Sequence, residues 1–251
     1  MRFKQLMEES KERKQSNIVL ALDAVPSTTN NLLSASLKIL RKVHPYICAV
    51  KLNRQLLLPL GLQRGIRGII EESHRLDLPV IMDCKINDIG YTNRVIAENY
   101  FDAGFDAVTA NPFVGWEDGL KPVFEEAKRR NRGVILLVYM SHKASREGYG
   151  QIVYDEHGKK KPQYVIFAEK ALSWGADGAV VGGTYPEKIR EVYEILRDEV
   201  PIYSPGIGTQ GGDIKTAISA GAEYVIIGRA ITLSENPEAT AKKFRDASQT
   251  P

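Results

Sequence analysis

An aspartate, a lysine two residues later and a second aspartate three after that form the run Asp83-Cys84-Lys85-Ile86-Asn87-Asp88, which follows the apolar segment Pro79-Val80-Ile81-Met82. If that segment is a strand, residues two apart share a face. Asp83 and Lys85 then project together, Cys84 turns away, and Asp88 can swing back toward the lysine as the chain leaves the strand. Carboxylates beside an amine favour its ammonium form. An ammonium cannot attack a carbonyl as a Schiff-base nucleophile must. It can stabilise a developing carbanion and then protonate it. The chemistry that suits this group is a reaction on a small anion that develops carbanion character and ends in protonation at carbon. An acid facing a leaving carboxylate would raise the ground state, and a grip on a remote part of the substrate would offset that contact.

Other polar residues fall at the ends of further apolar runs: Asp23, Lys51, Ser141, the stretch Ser204-Pro205-Gly206-Ile207-Gly208-Thr209-Gln210-Gly211-Gly212-Asp213, and Gly228-Arg229-Ala230. The last two have the make-up of a phosphate site. Glycines let backbone N–H groups approach an anion, and a helix N-terminus is partly positive. Arg229 adds a fork suited to phosphate, and Gln210 a neutral donor. The acids could bind Mg²⁺, but Lys51 and Lys85 in the same cluster would compete with the ion.

These residues need a frame that brings strand ends together. Strand patterns occur at 18–22, 47–51, 79–83, 107–110, 134–139, 178–181, 201–203 and 224–227. Helical patterns follow at 31–43, 62–75, 91–103, 116–130, 163–174, 186–198, 212–220 and 237–247. Strand–helix alternation implies parallel strands with right-handed crossovers. A doubly wound sheet would also alternate. Eight β-then-α units in 251 residues favour a closed (β/α)₈ TIM barrel, one domain over 1–251. The strands read as continuous apolar runs, as strands covered on both faces should. Gly104, Gly175 and Gly221 are expected to cap helices before the next strand. Two parts depart from the pattern. The charged extension 1–16 is expected to form a helix under the barrel, and 141–161 is a long βα loop, a lid or a decoration, in which 151–154 looks like half of a hairpin.

Composition excludes several function classes. The net charge of +3 gives no case for nucleic-acid binding. No apolar run approaches the ~20 residues that cross a bilayer, and the charged start lacks a signal-peptide core, so the expected location is cytoplasmic. Cys48 and Cys84 have no metal-type spacing and are expected to be buried free thiols. The basic runs at 129–132 and 159–161 read as solvated surface.

From about Ile18 to Leu233 the chain resembles the orotidine 5′-monophosphate decarboxylase family, in its archaeal-like, single-function form. The resemblance rests on Leu20-Ala21-Leu22-Asp23, Val50-Lys51, the Asp-x-Lys-x-x-Asp run at 83–88, Met140-Ser141-His142, the glycine-rich stretch with Gln210, and Ile227-Gly228-Arg229-Ala230. It implies decarboxylation of orotidine 5′-monophosphate to uridine 5′-monophosphate with no metal and no organic cofactor. Asp23 and Lys51 would hold ribose hydroxyls, Asp83 would face the substrate carboxylate, and Lys85 would protonate C6. Ser141 would contact the pyrimidine and Pro205 would pack near it. Gln210, Gly228 and Arg229 would hold the phosphate. The family is a homodimer with shared sites, so Asp88 and Thr92 would reach the partner's site. Where many members carry an apolar residue followed by His-Gly, this chain has Thr109-Ala110-Asn111-Pro112-Phe113, which makes the pocket more polar. A sister family acts on sugar phosphates through a Mg²⁺-stabilised enediolate; its pattern places a Glu where Lys51 stands. A nucleotide-binding barrel without activity would be expected to lose Lys85 or one of its acids, and all are present.

Overall fold

The computed structural model describes residues 2–23 and 31–249; Met1 of the N-terminal extension lies outside them. The strands in chain order are β1 (Ile18–Ala21), β2 (Ala49–Asn53), β3 (Val80–Ile86), β4 (Ala107–Ala110), β5 (Gly133–Tyr139), β6 (Ile152–Tyr154), β7 (Lys160–Pro162), β8 (Gly178–Val181), β9 (Ile202–Pro205) and β10 (Tyr224–Ile227). Eight of them close a parallel barrel in the order β1-β10-β9-β8-β5-β4-β3-β2. Its seam joins the first strand to the last, with Leu20 opposite Ile227. The fold is therefore the (β/α)₈ barrel that the alternation implies.

Alternation within each strand divides the core in two. Ile18 and Leu20 face the helices, while Val19 and Ala21 face the barrel interior; in β5, Ile135 and Leu137 point inward between outward Val134, Leu136 and Val138. Strands covered on both faces need apolar residues at every position, which explains the unbroken runs. The N-terminal helix, Phe3–Lys14, closes the bottom of the barrel: Phe3 and Met7 join the interior layer beneath Tyr203 and Tyr224. Gly133 begins β5 at that end because a Cβ there would collide with the Phe3 ring.

Strands 107–110, 178–181 and 224–227 match the sequence expectation residue for residue. The others differ at their ends. β2 continues to Asn53, since its ladder with β3 runs through Asn53 opposite Asp83. β3 continues to Ile86, so Asp83 and Lys85 lie within the strand instead of at its exit. Two expected helices are interrupted. The 62–75 pattern starts in an irregular turn, Gly61–Ile66, before the helix Arg67–Arg75. The 116–130 pattern is broken at Asp118, whose φ is +51°, before Lys121–Arg129. Gly104, Gly175 and Gly221 all have positive φ, as helix-ending glycines do.

The long loop after β5 carries the expected hairpin, with Ile152 opposite Pro162 in antiparallel β6–β7. It lies on the barrel's flank. Lys161 Nζ is 2.7 Å from Glu169 on the helix Gln163–Ser173 and 3.2 Å from Asp155. The hairpin turn shares a flank cavity with Trp116 and Trp174. Lys161 is thus paired where a solvated surface was expected. Both cysteines are buried and free. No helix among the described residues is long and apolar enough to cross a membrane.

Candidate active site

At the carboxyl ends of β1, β2 and β3 four charged side chains meet. Lys51 is 6 % exposed; its Nζ donates to Asp83 Oδ2 at 2.7 Å and to Asp23 Oδ2 at 3.4 Å. Lys85 Nζ donates to Asp83 Oδ1 at 2.6 Å. Asp83 and Lys85 do project together, but the backbone does it by more than simple alternation. Met82 pairs with Val108 and Ile86 pairs with Ala110, so β3 has two residues more than β4 over this interval. Lys85 sits in the resulting bulge with φ +51°, a left-handed conformation that strains a residue with a Cβ. Thr109 of β4 spans the bulge. Its Oγ1 accepts from the Lys85 backbone N–H at 2.9 Å and donates to Asp83 Oδ1 at 3.0 Å.

The electrostatics follow from this geometry. Burial pushes the Asp83 carboxyl up, but the Lys51 and Lys85 ammonium groups outweigh it and hold the carboxyl well below the usual range. Burial pulls Lys51 down, and Asp83 and Asp23 reverse this to leave it above an ordinary lysine. Burial raises Asp23, and Lys51 compensates only in part. Asp23 Oδ1 is buried and has no hydrogen-bond partner among the described residues. A buried acceptor left open in this way is free to take a hydrogen bond from a bound donor. Cys84, on the opposite face of β3, is pushed up to about 12 by burial, so its thiol is no nucleophile at neutral pH.

The group forms one wall of a cavity of about 170 Å³ in the mouth of the barrel. Its apolar side comprises Ile81, Ile135, Leu137, Val180, Tyr203 and Ile226, and Asn53, Thr109, Met140, Ser141 and Pro205 complete the lining. Apolar walls keep the local dielectric low, which strengthens each charge's action on a bound ligand.

Ser141 and Pro205 line the cavity as the sequence suggests, and Gln210 stands at its rim. A Cβ on Gly206 would lie 2.8 Å from both Ser141 Cβ and Gln210 Oε1. Gly206 has φ +94°, and a bridge between Ile207 and Gly212 closes the loop. Gly228 caps the short helix Arg229–Thr232, on which Arg229 is exposed. Neither is part of the cavity lining.

Asp88 does not return to Lys85. It is exposed, and its Oδ1 accepts from the Ile89 N–H at 2.7 Å. Thr92, in the first turn of the helix Gly90–Asp102, is also outside the lining. The strand's extension to Ile86 and the following turn aim this segment outward.

Sequence reading missed Asn53 and Thr184. Asn53 was within reach, since it stands two residues beyond Lys51 on one face of β2. Thr184 Oγ1 donates to the Ser141 backbone carbonyl at 3.0 Å and ties the loops after β5 and β8 together; no local pattern signals that bond.

Comparison with known proteins agrees with this geometry. The profile of the Orotidine 5′-phosphate decarboxylase / HUMPS family matches residues 16–244. An orotidine 5′-phosphate decarboxylase of Methanosarcina acetivorans is 34 % identical over 232 residues, covering 92 % of this chain and 94 % of that protein. The crystal structure of the Methanocaldococcus jannaschii orotidine 5′-monophosphate decarboxylase, complexed with the inhibitor BMP, superposes with a TM-score of 0.78 at 32 % identity, over 93 % of this chain and 98 % of that one. The Leishmania donovani OMP decarboxylase gives a TM-score of 0.82 at 25 % identity, over 98 % and 97 % of the two chains. With barrel, charged wall and match running together along nearly its whole length, the chain belongs to the orotidine 5′-phosphate decarboxylase / HUMPS family.

Proposed function

We propose that this chain decarboxylates orotidine 5′-monophosphate to uridine 5′-monophosphate and CO₂, without a metal, with Lys85 as the proton donor to C6. Family membership supports the reaction and its place in pyrimidine biosynthesis. The observation that carries the finer reading is Lys51, whose ammonium lies between Asp23 and Asp83. It occupies the place a divalent ion would take between the two acids. A sugar-phosphate enzyme working through an enediolate would need an acid there to hold Mg²⁺.

The steps follow from the wall of charges. Asp83 is held ionised and faces the substrate carboxylate, so departure of CO₂ relieves a repulsion. The C6–carboxylate bond breaks with its electron pair left on C6, where the Lys85 ammonium stabilises it. Lys85 then transfers a proton to C6, and solvent restores the ammonium. Asp23, with its open Oδ1, and Lys51 hold ribose hydroxyls. Ser141 and Pro205 contact the base. Gln210, Gly228 and Arg229 grip the phosphate, and that remote binding offsets the contact at the carboxylate.

We further infer a homodimer with shared sites, in which Asp88 and Thr92 complete the partner's site. Their position outside the protomer's own cavity supports this. The reading needs no nucleic acid, membrane or organic cofactor, and it fits a cytoplasmic enzyme.

The test is the ultraviolet absorbance of orotidine 5′-monophosphate with purified protein in excess EDTA. Conversion to uridine 5′-monophosphate is expected, and Lys85→Ala is expected to lose turnover by more than about 10⁴-fold while still binding the product nucleotide. Turnover that requires added Mg²⁺, or that survives in Lys85→Ala, would overturn the mechanism.

A further inference from the structure

We propose that Thr109 is a positioning residue: its hydroxyl holds the β3 bulge in the conformation that sets Lys85 Nζ on Asp83 over the cavity. The inference rests on the decarboxylase reading and adds to it a side chain that need not touch the reacting atoms.

The hydroxyl has one proton, and its surroundings leave that proton a single destination. The Lys85 backbone N–H can only donate, and it lies 2.9 Å from Oγ1. Asp83 Oδ1, 3.0 Å away, accepts while ionised. Oγ1 therefore accepts from Lys85 and donates to Asp83. Thr109 is 2 % exposed, and both bonds are made by its one hydroxyl.

Lys85 needs such a tie more than its neighbours do. Between Met82 and Ile86 the ladder from β3 to β4 is out of step. In that gap the Lys85 N–H is held by a threonine side chain. The residue is also strained, at φ +51°. Its ammonium is held 2.6 Å from the same Oδ1 that receives the Thr109 proton. One hydroxyl thus fixes Lys85 twice, directly at the backbone and through Asp83 at the side chain. It also fixes the rotation of the Asp83 carboxylate, which presents Oδ2 to Lys51 at 2.7 Å. A proton donor displaced by about 1 Å costs on the order of 10²-fold in rate.

Two substitutions separate positioning from packing. Thr109→Val keeps the shape and removes the hydroxyl; Thr109→Ser keeps the hydroxyl and removes the methyl. Thr109→Val is expected to lower kcat by about 10- to 100-fold with KM changed by less than about threefold. It is also expected to speed hydrogen exchange at the Lys85 amide by about tenfold or more. Thr109→Ser should stay within about threefold of wild type in both readings. A Thr109→Val enzyme with wild-type kcat overturns the proposal, as does a serine variant as impaired as the valine one, which would assign the role to packing. The exchange reading needs no turnover. If the wild type fails to decarboxylate, the functional reading falls, while unchanged Lys85 exchange in Thr109→Val independently overturns the role of Thr109.

Discussion

Asp83 accepts from three donors, Lys51, Lys85 and Thr109, and this sets how the folded protein responds to acid. Its folded pKa is depressed. The stability it contributes is therefore fully present above the unfolded carboxylate value, about 3.9, and is lost as pH falls through the folded value. Asp23 runs the other way, because its pKa is raised and it takes up a proton earlier on acidification. Comparing wild type with Asp83→Asn reads the first effect, together with the relief of Asp23, whose pKa Asp83 helps to raise. In urea unfolding, the stability gap between them is expected to be flat from about pH 7 to pH 5 and to narrow below about pH 4. A gap that held constant or widened below about pH 4 would contradict the paired state of Asp83. The neighbours of Asp83 differed in how far the sequence disclosed them. Lys85 was legible because two-residue spacing is local information. Thr109 was visible as a polar residue in an apolar strand, but its two bonds depend on the offset between β3 and β4, which no single segment encodes. Asp88 was misdirected for the same reason: β3 runs on past the group that seemed to end it.

Strands and helices were legible wherever apolar periodicity alone defines them, as in β4, β8 and β10. They were misplaced where the charged residues of the candidate site interrupt that pattern. Lys51 looked like the end of β2, and Asp83 like the end of β3, yet both are inner-face residues of strands that continue. The hairpin β6–β7 shows the limit differently. Its turn was readable, but whether it covers the cavity was not, because orientation depends on contacts with distant residues such as Glu169 and Trp174. Its flank position predicts its dispensability for chemistry. Replacing residues 154–160 with an Asn-Gly turn keeps Val153 and Lys161 as the flanking pair. Steady-state assays should find kcat and KM within about threefold of wild type, with a modest fall in melting temperature. A KM raised by tenfold or more, on the order of 1.4 kcal/mol, would instead make the hairpin part of the substrate enclosure.

Leu58, Ile89, Tyr91 and Phe113 are large apolar side chains at least 68 % exposed, and they lie in the segments that follow β2, β3 and β4, Leu58 and Tyr91 in the helices there. Exposed apolar residues at the exits of three neighbouring strands are where the proposed dimer contact would be sought. Asp88 directly precedes Ile89 in the exposed turn after β3. Complementation tests the proposed dimer. Mixed Lys85→Ala and Asp88→Asn subunits, each strongly impaired alone, should regain roughly a quarter of wild-type activity after unfolding and co-refolding. Half of random pairs are mixed, and one site of each such pair is intact. No recovery would sink the shared-site arrangement. The barrel's seam bears on synthesis as well. β1 has no partner on its outer side until β10, which ends at Ile227, has been made, and Phe3 and Met7 wait for Tyr203 and Tyr224 to complete the floor they pack against. A nascent chain leaving the ribosome therefore carries an unpaired strand edge and an undocked N-terminal helix until β10 has emerged. Closure of this barrel waits for β10, and a chain cut short before β10 keeps the edge of β1 unpaired.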